Sequence, residues 1–177
     1  TILDCPITMD QIDQADFTRA LIRVLDTASN VSDADLKTIA LQAIAQRGGD
    51  VDAFSVGIVV AQAESADSAQ RVAAVQAMGR LVKARDAHHI TRLFLLLKDA
   101  DEDVRANAVR ALAQITQLAD ERVVTAFCRI ASSDPSVKAR RAATDCLVEG
   151  CENADVEPLK SILRRVLEST KDEPYGT

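Results

Sequence analysis

Four stretches of the chain carry the same pattern of small, apolar and charged positions: DLKTIALQAI (35–44), AQRVAAVQAM (69–78), DVRANAVRAL (103–112) and KARRAATDCL (138–147). Their starts lie 34, 34 and 35 residues apart. The second column reads Leu36, Gln70, Val104 and Ala139, and the third is basic throughout, with Lys37, Arg71, Arg105 and Arg140. The sixth is alanine (Ala40, Ala74, Ala108, Ala143) and the ninth small (Ala43, Ala77, Ala111, Cys146). The tenth is large and apolar (Ile44, Met78, Leu112, Leu147). Small and apolar positions at steps of three and four mark one face of a helix. Alanine at the middle of that face predicts that two helices approach closely there.

Helix-start signals precede these blocks. Ser32 to Asp35 and Asp99 to Glu102 read as capping boxes, and Ser133-Asp134-Pro135 as a cap followed by proline in the first turn. Asp33, Asp67 and Asp101 stand four residues before Lys37, Arg71 and Arg105, an acid at the positive end of a helix one turn ahead of a base. A second apolar helix is expected before each block, near 15–26, 51–63, 87–98 and 120–131, each with one phenylalanine: Phe17, Phe54, Phe94 and Phe127. The pattern divides the chain into a tail over 1–14, helix pairs at about 15–48, 49–83, 84–117 and 118–151, a capping helix over 155–169, and a tail over 170–177. The first tail is acidic and apolar (Ile2, Leu3, Ile7, Met9, Ile12). It is expected to cover the exposed end of the array or, in a larger assembly, to reach another subunit.

A helix pair of this period with D-x-x-V-R-x-x-A-x-x-A-L in its second helix resembles the HEAT repeat. Asp101, Val104, Arg105, Ala108, Ala111 and Leu112 match most closely, while Gln70 departs at the apolar position and Ser136 at the leading acid. Armadillo repeats are longer and have three helices. The tetratricopeptide repeat wants Trp, Gly and Tyr early in its first helix. The resemblance covers about 15–169 and implies an all-α, right-handed solenoid of four HEAT-like helix pairs plus the capping helix, with second helices on the concave side. It also implies a structural ladder between neighbouring repeats built from Asp33, Lys37, Asp67, Arg71, Asp101, Arg105 and Arg140, with Asp134 and Lys138 as the pair in the fourth repeat.

Composition agrees with helices packed on helices. Apolar residues make up 47% of the 177, aromatics only 3%, and there are six Gly and four Pro, too few for the turns of a sandwich or barrel. Net charge is −6, carried by residues 1–70, which hold 11 acids against four bases. That disfavours a nucleic-acid partner, whose affinity rests on phosphate neutralisation. Cys5, Cys128, Cys146 and Cys151 form no C-x-x-C pair, and His88 and His89 are the only histidines, so neither a zinc site nor a Cys–His nucleophile is expected. The iron-binding His-Glu pairs of the HEAT-like deoxyhypusine hydroxylases are missing, as are G-x-S-x-G, Walker and G-x-G-x-x-G patterns. No catalytic residue, cofactor or metal is expected. Thiols without a disulfide framework point to a reducing, intracellular compartment, the cytoplasm first or an organelle if Thr1 is a processed end. The longest apolar run in the middle of the chain, Leu93–Leu97, is far short of a membrane span.

The remaining positions of the second helices form polar rows: Gln42, Gln76, Arg110, Asp145; then Gln46, Arg80, Gln114, Glu149; then Thr38, Val72, Ala106, Arg141. They are mixed in sign and lack aromatics for base stacking. They suit a protein surface, with Gln42, Gln76, Arg80, Arg110, Gln114 and Arg141 as the expected contacts of a scaffold subunit or interaction module. HEAT-like phycobilin lyases or chaperone-like subunits, and a nucleic-acid-associated scaffold, are the alternatives.

Overall fold

The computed structural model describes residues 14–27, 34–48, 51–82, 86–116, 118, 120–152, 160–161 and 163–165. Eight elements follow one another: α1 (Gln14–Thr27), α2 (Ala34–Arg47), α3 (Ala53–Gln62), α4 (Ser68–Leu81), α5 (Ala87–Leu96), α6 (Glu102–Thr116), α7 (Glu121–Ser133) and α8 (Val137–Glu152). No strand occurs among the described residues. Each helix covers one of the expected stretches, and Gln14, assigned to the tail by sequence, opens α1. Of the expected capping helix, residues 160–161 and 163–165 are helical; the remainder of 155–169 and both tails lie outside the described residues.

The chain divides into two compact units, one ending at Val82 and one beginning at Lys83. In the first, α1 pairs with α2, α3 pairs with α4, and α2 lies along α4. In the second, α5 pairs with α6, α7 with α8, and α6 lies along α8. Each unit is therefore all-α, a stack of two helix pairs of the solenoid kind. The alanine column permits this stacking. Ala40, Ala74, Ala108 and Ala143 are all buried, and a larger side chain at any of them would hold the second helices apart. Ile44, Met78 and Leu112 are fully covered below them, each worth about 2 kcal/mol in removed apolar surface. Burial weakens in the first and the last of the second helices along the chain, where Ala43 and Leu147 keep partial exposure.

Aspartates start most of the helices. Asp52, Asp67, Asp86 and Asp120 cap α3, α4, α5 and α7, each accepting from a backbone N–H two or three residues on. Asp101 caps α6, accepting from the N–H groups of Asp103 and Val104, while Asp99 shapes the preceding turn through the N–H of Asp101. The start of α8 differs from the sequence expectation. Its cap is Ser136, whose Oγ accepts from Lys138 N–H, and Pro135 lies in the turn ahead of the helix rather than in its first turn. Asp134 Oδ1 accepts from Ser136 N–H and sets that turn. Gly48, at φ +66°, ends α2 in the left-handed conformation that glycine adopts at least cost. The Gly48 carbonyl accepts from the buried Thr18 Oγ1 at 2.7 Å, tying the start of α1 to the turn that leads into α3. Arg47 lies over the Phe17 ring at 4.5 Å and closes the same corner.

Candidate interaction surface

The basic column is anchored before any partner reaches it. Arg71 Nη1 donates to the carbonyls of Ser65 and Ala66 at 2.9 and 3.0 Å. Arg105 Nη1 donates to Asp99 and Ala100 at 2.9 and 3.1 Å, and Arg140 Nη1 to Asp134 and Pro135 at 2.7 and 3.1 Å. The acceptors stand six and five residues earlier each time, in the loop joining the two helices of a pair. These carbonyls lie beyond the end of the first helix, whose own last carbonyls accept from loop N–H groups, so each arginine latches its own loop. Lys37 holds the same column on α2, half-buried; its expected acid Asp33 lies outside the described residues.

Neighbouring pairs of the second unit are joined through a different set of acids than the spacing suggested. Arg105 places Nε and Nη2 on the two carboxylate oxygens of Asp134 at 3.0 and 2.9 Å, and both side chains are nearly covered, at 11% and 8% exposure. The Arg105 guanidinium, then the Ser136 N–H, hold the Asp134 carboxyl below the usual carboxylate range, and the same pairing raises Arg105. Lys138 reaches back to Glu102 and Asp103 at 2.9 and 3.0 Å rather than to Asp134, and Ser136 Oγ donates to Glu102 at 2.8 Å. Lys138 and Ser136 together lower Glu102. Asp67 and Asp101, expected as ladder acids, act as helix caps. The loop carbonyls were missed in the sequence, although the six-residue step from Ser65, Asp99 and Asp134 to the arginines carries the signal.

All six expected contact residues are exposed. Gln42 on α2 stands with Gln76 and Arg80 on α4 in the first unit; Arg110 and Gln114 on α6 stand with Arg141 on α8 in the second. Arg141 pairs with Asp145 one turn on at 3.6 Å, both largely in solvent, a contact of little energetic weight. Arg110, Asp145 and Glu149 all act on the Cys146 thiol, which places the α6 and α8 rows side by side. The third row reaches solvent only in part: Arg141 is exposed, Thr38 and Val72 are half-buried, and Ala106 is 2% exposed.

Neither Cys128 nor Cys146 is poised for chemistry. Burial, helped by Glu149, pushes Cys146 up to about 11, and burial raises Cys128 as well, so both are neutral near pH 7. Cys128 and Cys151 line an apolar groove of about 680 Å³ with Ala131, Leu147 and Val148, between α7 and α8. His89 Nδ1 approaches the α5 cap Asp86 to 2.8 Å, but off the line of a good hydrogen bond. Among the described residues no three His, Cys, Asp or Glu side chains converge as metal ligands. Nor is any described helix long and apolar enough to cross a membrane.

Residues 90–169, inside the second unit, match the family of HEAT repeats. No curated protein matches the chain. The match covers α6, with its Asp101, Val104, Arg105 and Ala108, together with α7 and α8. HEAT repeats are generally protein-interaction scaffolds. With helix pairs, buried alanines and arginine-latched loops, residues 90–169 of the chain are HEAT repeats.

Proposed function

We propose that the chain is a non-catalytic interaction module whose repeats extend over about 15–169 and which binds a partner protein through the exposed rows of its second helices. The observation that carries this reading is the division of labour on those helices. Arg71, Arg105 and Arg140 of the basic column hold loop carbonyls, and Asp67 and Asp101 cap helices; we take Lys37 and Asp33 to serve the fold of the first pair in the same way. Gln42, Gln76, Arg80, Arg110, Gln114 and Arg141 face solvent on rigid, paired helices that fix their spacing. Polar rows of mixed sign fit a protein surface better than a run of phosphates.

The test reverses Arg80 and Arg110 together, Arg80→Glu with Arg110→Glu, and compares proteins retained from the native source by quantitative mass spectrometry. Arginine is over-represented among residues whose loss weakens protein interfaces. At least one protein held by the parent chain should fall by about tenfold, a loss of about 1.4 kcal/mol, with an unchanged melting temperature. Identical retention by both chains would overturn the reading. Retention on DNA that falls steeply with salt would move it to the nucleic-acid class.

A further inference from the structure

The ten residues of α3, Ala53–Gln62, contain no charged side chain. A helix that is apolar all round is normally covered all round. Its inner side is covered: Ser55, Val56, Val59 and Val60 are buried. Its outer side is open. Ala53, Phe54, Gly57 and Ala61 are exposed, Phe54 to 74%, and a side chain built on Gly57 would meet nothing within 4 Å. Two other first helices present charge outward: Asp16, Arg19, Arg23 and Asp26 on α1, and Glu121, Arg122 and Arg129 on α7; α5 holds Arg92 half-buried and exposes Leu95.

From this face and the chain that leads to it, we infer that residues 2–12 dock along the outer side of α3 and cover Phe54. Reach favours this occupant. Thr18 is bonded to Gly48, so the chain that continues backward from Gln14 sets out beside the turn entering α3. Thirteen residues span up to about 45 Å when extended, whereas α3 is about 15 Å long. Composition favours it too. The segment supplies Ile2, Leu3, Cys5, Ile7, Met9 and Ile12 for the apolar face, and its charged side chains are Asp4 and Asp10, with no base. Arg23 stands exposed on the adjacent α1 to receive them, beside Arg19, which already pairs with Asp16 at 2.7 Å. A second copy fits less well. One side of a ten-residue helix falls well below the about 800 Å² per partner of a stable interface, while a tethered segment acts at about millimolar effective concentration.

The test places the photo-crosslinker p-benzoylphenylalanine at position 54 of the full chain, irradiates it, and maps the products by mass spectrometry. Crosslinks within one chain to residues 2–12 are expected. Crosslinks between copies, or none to that segment, overturn the inference. A thermodynamic arm uses Phe54→Asp, Ile7→Asp with Met9→Asp, and all three together in the full chain. Each of the first two should lower the melting temperature by about 3 °C, the size of shift that losing one modest contact gives a chain of this length. The combination should lower it no further than either alone. Additive shifts overturn the docking.

Discussion

Asp134 holds two structures at once. Its carboxylate receives the fork of Arg105 from the neighbouring helix pair, its Oδ1 sets the turn before α8 through Ser136 N–H, and its carbonyl accepts from Arg140. Asp134→Asn keeps the size and one acceptor but loses the ion pair, and charged hydrogen bonds of this kind are worth about 2 kcal/mol. Chemical denaturation at pH 7 should show that loss. The pH profile gives a sharper check. The folded carboxyl titrates below its unfolded value near 3.9, so its contribution is complete above that value and is lost as pH falls through the lower, folded value. The gap between parent and Asp134→Asn should therefore be constant above about pH 5 and narrow below about pH 4. A gap unchanged at pH 3 would show that the carboxylate charge is not what the site uses.

At the scale of the element, one sequence column does not mean one environment. Leu36 and Val104 occupy the same place in the repeat, yet Leu36 is 48% exposed and Val104 fully buried. Val104 is packed on α6 between helices of its unit, while α2 keeps one side without a described neighbour. Gln70 shows what a polar residue needs at this position: its amide donates to Gln62 Oε1 at 2.6 Å and accepts from Ser65 Oγ at 2.9 Å. Val104 has Leu96 and Asp99 where Gln70 has Gln62 and Ser65, so glutamine there would lack the Gln62 amide. Val104→Gln should cost about 3 kcal/mol through its buried amide, and Leu36→Gln no more than about 0.5 kcal/mol. Equal costs in urea denaturation would mean that the repeat position, not the surroundings, sets the energy. The four phenylalanines teach the same lesson. Phe17, Phe54, Phe94 and Phe127 look equivalent in sequence, but Phe127 is fully buried and Phe54 stands in solvent.

For the whole molecule, what the sequence made legible was what repeats. Five columns at a 34-residue step specify helix, inner face and close approach together, so the helix pairs could be read directly. What does not repeat stayed hidden: Asp134 as the acceptor of Arg105 and Ser136 as the cap of α8 depend on turn geometry that no column encodes. The exposed rows could be placed, but exposure does not choose a partner. Repetition also sets how stability is distributed, because a stacked array holds each pair by its own core and its neighbours. The unit beginning at Lys83 has such a core: Leu93, Val104, Leu112, Val123, Phe127 and Ala143 are fully buried, and Arg105 with Asp134 and Lys138 with Glu102 join its two pairs. Residues 83–177 expressed alone should therefore be helical by circular dichroism and unfold in one cooperative thermal transition. A fragment that shows neither would mean that the core of this unit is completed by residues before Lys83.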